Sequence, residues 1–78
     1  MPHVVIMVPL GPNNDEGVVH EWLIEVGQTV EAREPLVSVE TDKTVIEVEA
    51  DVSGKVIRKF VEKGAAVRAG DPLAEIEA

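Results

Sequence analysis

The stretch that decides the fold runs from residue 37 to residue 49 and reads Val37-Ser38-Val39-Glu40-Thr41-Asp42-Lys43-Thr44-Val45-Ile46-Glu47-Val48-Glu49. On both sides of Thr41-Asp42-Lys43-Thr44, apolar and polar side chains alternate with a period of two, which is typical of half-buried β-strands. The pattern therefore predicts a β-hairpin with Lys43 at its tip. The turn type stays open, because the connection lacks the glycine that common two-residue hairpin turns use.

The rest of the chain is predicted to form further strands and no helix of useful length. Apolar runs lie at residues 3–8, 18–26, 29–30, 36–40, 56–62, 66–67 and 73–77, and turn-forming residues separate most of them. The run at residues 3–8 is interpreted as a mostly buried strand. The odd spacing of Val19, Trp22 and Ile24 predicts a bulge in the second strand.

An internal repeat organises these strands. Shifted by 37 positions, the sequence matches itself without a gap at Gly17 and Gly54, Val19 and Val56, Glu25 and Glu62, Gly27 and Gly64, Val30 and Val67, Ala32 and Ala69, Pro35-Leu36 and Pro72-Leu73, Val39 and Ile76, and Glu40 and Glu77. Two such halves favour one all-β domain over residues 1–78, made of two four-stranded sheets packed face to face. By that symmetry, the hairpin should lie at the end of the domain far from both termini.

Two positions break the repeat. Arg33 stands where the second half has Gly70, so either Arg33 adopts a positive φ angle at some cost or the two turns differ. Trp22 stands where the second half has Lys59, so the single tryptophan is expected to weight the core toward the first half.

Composition narrows the possible functions. The chain has 15 acidic and 7 basic residues and a net charge of −8, so it lacks the basic surface that nucleic acids and anionic membranes attract. The acidic surface serves either solubility or steering toward basic partners. The chain has no cysteine, which leaves no disulfide or thiolate metal site. No apolar run is long enough for a membrane helix.

The whole chain resembles the lipoyl domain of the dihydrolipoyl acyltransferase component of a 2-oxo acid dehydrogenase complex. The residues that carry the resemblance are Val8-Pro9-Leu10-Gly11, Glu16-Gly17, Trp22, Gly27, Glu40-Thr41-Asp42-Lys43, Glu47, Gly54-Lys55-Val56, Gly64 and Pro72-Leu73. The resemblance implies a flattened barrel of two four-stranded antiparallel sheets with internal two-fold pseudo-symmetry, a barrel-sandwich hybrid. It also implies a carrier domain with no catalytic site of its own, within a parent acyltransferase chain.

The resemblance further implies a site. Lipoic acid would be amide-linked to Lys43, which is flanked by Glu40, Thr41, Asp42 and Thr44. A loop near the lysine would recognise partners through Leu10, Gly11, Asn13, Asn14, Asp15 and Glu16. The swinging arm would carry acyl groups and reducing equivalents between a thiamine-diphosphate decarboxylase, an acyltransferase catalytic domain and dihydrolipoyl dehydrogenase, after a lipoate-attaching enzyme has loaded it. We expect a monomeric domain without a metal site, in the bacterial cytoplasm or the mitochondrial matrix.

Two alternatives stay open at this point. A biotin carrier has the same fold and a hairpin lysine, but that family usually places methionine on both sides of the lysine, where this chain has Asp42 and Thr44. A barrel-sandwich module with an unmodified Lys43 would serve only interaction. Asp42 is equally consistent with partner recognition and with stabilising the turn, whereas Glu40 is better explained by the turn alone.

Overall fold

The structure, a computed structural model, describes residues 1–9, 16–42 and 44–78. These residues form eight β-strands, namely β1 (Pro2–Ile6), β2 (Glu16–Trp22), β3 (Thr29–Val30), β4 (Pro35–Glu40), β5 (Val45–Glu49), β6 (Gly54–Lys59), β7 (Ala66–Arg68) and β8 (Pro72–Glu77). Among the described residues there is no helix long and apolar enough to cross a membrane.

The strands form two four-stranded antiparallel sheets, which confirms the predicted architecture. The terminal sheet has the order β1-β8-β6-β3 and contains the first and last strands. The hairpin sheet has the order β5-β4-β2-β7 and contains the predicted hairpin. Each sheet buries one face against the other, and the valines that dominate these faces pack well on a pleated surface.

A pseudo-two-fold relation connects the two sheets strand by strand. With an offset of 37 residues, β2, β3 and β4 correspond to β6, β7 and β8, while β1 corresponds to β5. Backbone hydrogen bonds outside the ladders repeat in the same way. The bonds Met7 N–H to Asp71 O (2.8 Å), Gly70 N–H to Met7 O (2.9 Å) and Val19 N–H to Ala65 O (2.9 Å) match Ala50 N–H to Glu34 O (2.9 Å), Arg33 N–H to Ala50 O (2.6 Å) and Val56 N–H to Gln28 O (2.9 Å).

The irregularities of the ladders repeat as well. The register of β2 against β4 shifts between Val19 and Glu21, and the register of β6 against β8 shifts between Val56 and Arg58. The first of these shifts confirms the bulge predicted in the second strand. Because the second shift lies 37 residues further on, the bend belongs to the repeat and not to one half alone.

The core is built from repeat-related apolar pairs. At most 1% of each side chain is exposed in Val19 and Val56, Val30 and Val67, Leu36 and Leu73, and Val39 and Ile76. Full burial of such a side chain contributes roughly 1.5–3 kcal/mol. The shared sequence of the two halves therefore fixes their shared packing. Ser38 is the buried polar residue of this core, and its hydroxyl donates to the Glu21 carbonyl oxygen at 3.3 Å.

The interpretation of residues 3–8 as a mostly buried strand is wrong. β1 is an edge strand of the terminal sheet and ends at Ile6. Val5 and Met7 are buried, whereas Val4 and Ile6 are exposed by 40% and 52%. A continuous apolar run does not reveal which face a strand buries, and here the strand buries only one.

Two strands are shorter than the apolar runs that predicted them. β2 ends at Trp22 rather than at residue 26, and β6 ends at Lys59 rather than at residue 62. Tight turns follow in both places, since Gln28 N–H donates to Glu25 O and the repeat-related Ala65 N–H donates to Glu62 O, each at 3.0 Å. These turns bend the chain before the apolar pattern stops.

Arg33 adopts a positive φ angle of 76°, close to the 91° of the repeat-related Gly70. The two turns therefore have the same form, and Arg33 occupies a backbone region that costs an L-residue about 1–2 kcal/mol. Trp22 was expected to add to the core packing of the first half, and it does so only in part. Trp22 is half-buried, its indole N–H donates to Val61 O at 3.1 Å, and the Lys59 ammonium lies 4.9 Å from the centre of its rings.

The termini meet at one end of the terminal sheet. The Met1 amine donates to Ala78 O at 2.7 Å and Ala78 N–H donates to Met1 O at 3.1 Å. His3, at the same end, contacts Asp51 at 2.8 Å. Asp51 follows the end of β5 that is distant from residues 41–44, so the whole of β5, roughly 15–20 Å of strand, separates the termini from the turn. The described residues thus agree with the predicted separation.

Candidate functional site

The candidate site is the connection between β4 and β5. These strands pair up to Glu40 and Val45, so residues 41–44 form the link. Thr41 N–H donates to the Thr44 carbonyl oxygen at 2.7 Å, which closes the ladder at its end. The strands of the predicted hairpin are therefore present, while Lys43, predicted to be its tip, lies outside the described residues.

The described residues on either side of position 43 are largely exposed. Asp42 and Thr44 are exposed, as is Glu40 at the end of β4, and Thr41 is half-buried. A covalently attached cofactor needs an approach path for its attaching enzyme and room for its own movement. The exposed neighbours in the chain, Asp42 and Thr44, are consistent with the first of these needs.

A shallow depression of about 240 Å³ lies beside the turn. Its lining comes from the start of β2 and from the end of β4 with the adjoining link, and consists of Glu16, Gly17, Val18, Glu40, Thr41 and Asp42. The depression forms because Val18 pairs with Glu40 across the β2–β4 ladder. Of the six lining residues that the structure describes, three are acidic, so this surface favours positively charged groups.

The predicted recognition loop is only partly described. Leu10, Gly11, Asn13, Asn14 and Asp15 lie outside the described residues. Glu16 is the first residue of β2 and lines the depression together with Glu40, Thr41 and Asp42. The structure therefore brings one residue of the predicted loop together with three of the four residues that flank Lys43.

The carboxylate of Glu16 is not fully available. The Arg68 Nε lies 3.5 Å from Glu16 Oε2, and both side chains are more than half exposed. An exposed ion pair of this kind contributes little to stability, on the order of 0–1 kcal/mol. Glu40 and Asp42 are the carboxylates nearest to position 43 in the chain.

The sequence prediction missed two residues of the depression, Gly17 and Val18. Val18 is exposed by 42%, and Val45, which pairs with Glu40 from the other side, by 47%. The row Val18–Glu40–Val45 thus crosses the outer face of the hairpin sheet next to the turn. Only the register of β2 against β4 reveals this row, because the alternation of each strand does not say which strands are neighbours.

The described part of the site combines acidic, hydroxyl and apolar side chains. In the described ranges, no group of three or more His, Cys, Asp or Glu side chains is placed to hold a metal ion. The side chains beside the turn are carboxylates, threonine hydroxyls and valines. Such a surface can support a flexible arm and meet a partner.

Comparisons with known sequences agree with this picture. The family model described as Biotin-requiring enzyme, Biotin_lipoyl, matches residues 3–77. The dihydrolipoyllysine-residue acetyltransferase component of the pyruvate dehydrogenase complex of Mycobacterium bovis is 39% identical over 72 residues, which cover 92% of this chain and 13% of that protein. The same component of Staphylococcus aureus is 35% identical over 69 residues, 88% of this chain and 16% of that protein. This chain therefore corresponds to a small part of these relatives.

This chain also resembles solved structures of two different proteins. The urea carboxylase of Kluyveromyces lactis matches with a TM-score of 0.84 and 28% identity, over 99% of this chain and 6% of that one. The lipoyl domain of the 2-oxoglutarate dehydrogenase complex of Azotobacter vinelandii matches with a TM-score of 0.73 and 29% identity, over 95% of this chain and 96% of that one. The shared architecture of two four-stranded sheets is thus common to both.

Proposed function

This chain belongs to the Biotin_lipoyl family, and from that premise we propose that it is a lipoyl carrier domain with lipoic acid amide-linked to Lys43. The observation that carries the proposal is the 39% identity, over 92% of the chain, to a dihydrolipoyllysine-residue acetyltransferase component. Asp42 and Thr44, where biotin carriers usually have methionine, support the same choice.

The residues of the chain would serve to present the arm. When bound, the lipoyl group would carry acyl groups and reducing equivalents from one active site to the next. The paired strands β4 and β5 give the lysine a rigid base, and their exposed end gives partner enzymes access. Tethering replaces free diffusion by a high local concentration of the arm at each active site.

The proposed partners follow from this role. They are a thiamine-diphosphate decarboxylase, an acyltransferase catalytic domain, dihydrolipoyl dehydrogenase and a lipoate-attaching enzyme. We further propose that residues 1–78 form a single monomeric domain of a dihydrolipoyl acyltransferase, in the bacterial cytoplasm or the mitochondrial matrix. The acidic depression beside the turn, with Glu16, Glu40 and Asp42, and the loop of residues 10–15 would provide the recognition surface.

A biotin carrier is the second candidate. The matching family model is described as Biotin-requiring enzyme, and the match to urea carboxylase, with a TM-score of 0.84, is closer in backbone than the match to the lipoyl domain of Azotobacter vinelandii. Backbone similarity alone does not separate the two functions, because one fold can carry either group. Attachment has to be measured.

The test is the intact mass of the chain after incubation with a lipoate-attaching enzyme and, in parallel, with a biotin-attaching enzyme. We expect a lipoyl-sized increase in the wild type that is lost in Lys43→Arg and Lys43→Ala. Lys55→Arg is the matched control, because Lys55 is an exposed lysine on β6 and should leave the increase unchanged.

Each outcome decides between the candidates. A biotin-sized increase at Lys43 would replace the proposal by the biotin carrier. No increase with either enzyme would favour an unmodified interaction module. A lipoyl-sized increase that persists in Lys43→Arg would place the attachment on another lysine.

A further inference from the structure

We propose that Thr41 is a positioning residue whose side-chain hydroxyl fixes the link in which Lys43 lies. The proposal rests on the proposed attachment of lipoic acid to Lys43 and deepens it. It assigns to Thr41 a role distinct from recognition by the exposed carboxylates, namely control of the geometry in which the amine meets its attaching enzyme.

The first observation is that one oxygen atom makes two contacts across the link. Thr41 Oγ1 donates to the Thr44 carbonyl oxygen at 3.0 Å and accepts from Thr44 N–H at 3.3 Å. With the bond from Thr41 N–H to the same carbonyl at 2.7 Å, three hydrogen bonds join the two threonines. A hydroxyl on Cβ is short enough for this and both donates and accepts, which among side chains limits the position to threonine or serine.

The second observation is an internal comparison. The repeat-related end of the β1–β8 ladder lies at Ala78 and Met1, where Ala78 N–H donates to Met1 O and the Met1 amine donates to Ala78 O. The backbone supplies both acceptors there. In the hairpin, Thr41 N–H donates to Thr44 O, as Ala78 N–H does to Met1 O. Thr44 N–H, however, donates to the side-chain oxygen Thr41 Oγ1 and not to a backbone carbonyl. The hydroxyl thus takes the place of a backbone carbonyl.

The comparison explains why a hydroxyl is useful here. Only Asp42 and Lys43 separate the two threonines, and neither is glycine, the residue that tight two-residue turns usually need. A lysine is required at the modified position, so glycine is not available there. The side chain of Thr41 supplies a bond that holds a glycine-free link together.

A loosened link would slow the attachment of lipoate. An enzyme that has to align the amine with an activated lipoyl group gains rate when the amine is held in advance. Because Thr41→Val removes two hydrogen bonds across the link, we expect about a tenfold loss of kcat/KM for attachment in this variant.

The experiment compares Thr41→Val, Thr41→Ser and Thr29→Val in the unmodified chain. Thr41→Val removes the bridging oxygen and keeps the branched shape, whereas Thr41→Ser keeps the oxygen. Thr29→Val is the matched control, because Thr29 is an exposed threonine on β3 of the terminal sheet, in a row with Lys55 and Glu77 near the termini. The measurements are amide hydrogen exchange at Thr44 by NMR and kcat/KM with a lipoate-attaching enzyme.

We expect Thr44 amide exchange at least about tenfold faster in Thr41→Val, the loss of kcat/KM described above, and values near wild type in the other two variants. Unchanged exchange and kcat/KM in Thr41→Val, with a wild type that is modified normally, would overturn the positioning role alone. Faster exchange without a change in kcat/KM would overturn it as well.

Two further outcomes are also decisive. A wild type that takes up no lipoate would overturn the proposed function together with the role of Thr41 in it. If Thr41→Val does not fold, Thr41→Ala, which removes the same oxygen from a smaller side chain, takes its place. An unprotected Thr44 amide in the wild type would overturn the proposal without any variant.

Discussion

The hairpin sheet and the terminal sheet have the same backbone arrangement but carry different outward-facing side chains. Glu21 on β2 corresponds to Arg58 on β6, and Val18 corresponds to Lys55. The outward residues Glu47 and Glu49 of the edge strand β5 occupy the places of Val4 and Ile6 on β1, as judged from the pairing of each edge strand with its neighbour. Both halves nevertheless keep the same strands, bulges and turn hydrogen bonds.

The difference extends to the charge of the two halves. In the repeat-related segments, residues 16–40 contain six acidic residues and one basic residue, a net charge of −5, whereas residues 53–77 contain four acidic and five basic residues, a net charge of +1. The segment that leads into the predicted lysine turn is thus strongly acidic, whereas its repeat-related counterpart is not. The comparison teaches that the buried repeat determines the architecture, while the outward positions are free to differentiate one half for function.

The largest expected effect tests whether the two sheets share a close backbone approach. A Cβ at Gly54 would fall on the carbonyl oxygen of Glu77 and lie 2.9 Å from Ala78 Cα. Because these are backbone atoms of the β6–β8 contact, we expect Gly54→Ala to lower the free energy of unfolding by about 3 kcal/mol. Urea unfolding measures the loss, and Gly64→Ala, where a Cβ meets no atom within 4 Å, is the control.

Gly17→Ala makes the corresponding change in the hairpin sheet. If Gly17→Ala lowers the free energy of unfolding as much as Gly54→Ala, the close backbone contact is also part of the pseudo-symmetry. A much smaller loss would mean that the contact is confined to the terminal sheet. If Gly64→Ala is as costly as Gly54→Ala, positive φ and not the close approach accounts for the effect, since Gly64 has a φ of 91°.

The next effect tests the two equivalent turns with opposite signs. Arg33 is exposed and has a positive φ, so Arg33→Gly should raise the free energy of unfolding by about 0.5–1 kcal/mol, because the relief of strain exceeds the entropy that glycine adds to the unfolded chain. Gly70→Arg should lower it by a similar amount. Thermal unfolding should show opposite shifts, and shifts of the same sign would contradict the equivalence of the turns.

The smallest effect concerns the contact between Trp22 and Lys59, which occupy the same place in the two halves. The Lys59 ammonium lies 4.9 Å from the Trp22 ring centre, and both side chains are half-buried. Such a cation–π contact is worth at least about 0.5–1 kcal/mol. Lys59→Met should therefore lower the free energy of unfolding by about 0.5 kcal/mol and change the fluorescence of the single tryptophan. Lys63→Met, at an exposed turn, should change neither. Equal effects in both variants would mean that loss of charge, and not ring contact, is responsible.

Most of the fold could be predicted from the sequence, because the same pattern of strands and turns occurs in both halves of the repeat. The matching of Val19 with Val56 and of Leu36 with Leu73 indicated two equivalent packing layers, and all four side chains are buried. The ends of β2 could not be read in the same way. Val26 continues the apolar run, but the turn from Glu25 to Gln28 depends on a hydrogen bond that apolar periodicity does not encode.

The site was predictable only in its local part. The residues next to Lys43 follow from the hairpin pattern, whereas the depression requires Glu16 and Val18 to face Glu40 from another strand. The role of β1 as an edge strand likewise depends on strand order, so its burial was overestimated. Register and strand order are long-range properties that a single strand's alternation does not contain.

The meeting of Met1 and Ala78 has a consequence for any polypeptide joined to this domain. Because the two ends lie side by side, incoming and outgoing segments would leave through one narrow stalk at the pole opposite to the link between β4 and β5. A domain attached in this way can rotate about its connecting segments, and those segments stay clear of the link between β4 and β5. The connecting segments and the link between β4 and β5 would then lie at opposite ends of a domain whose longest dimension is 34 Å.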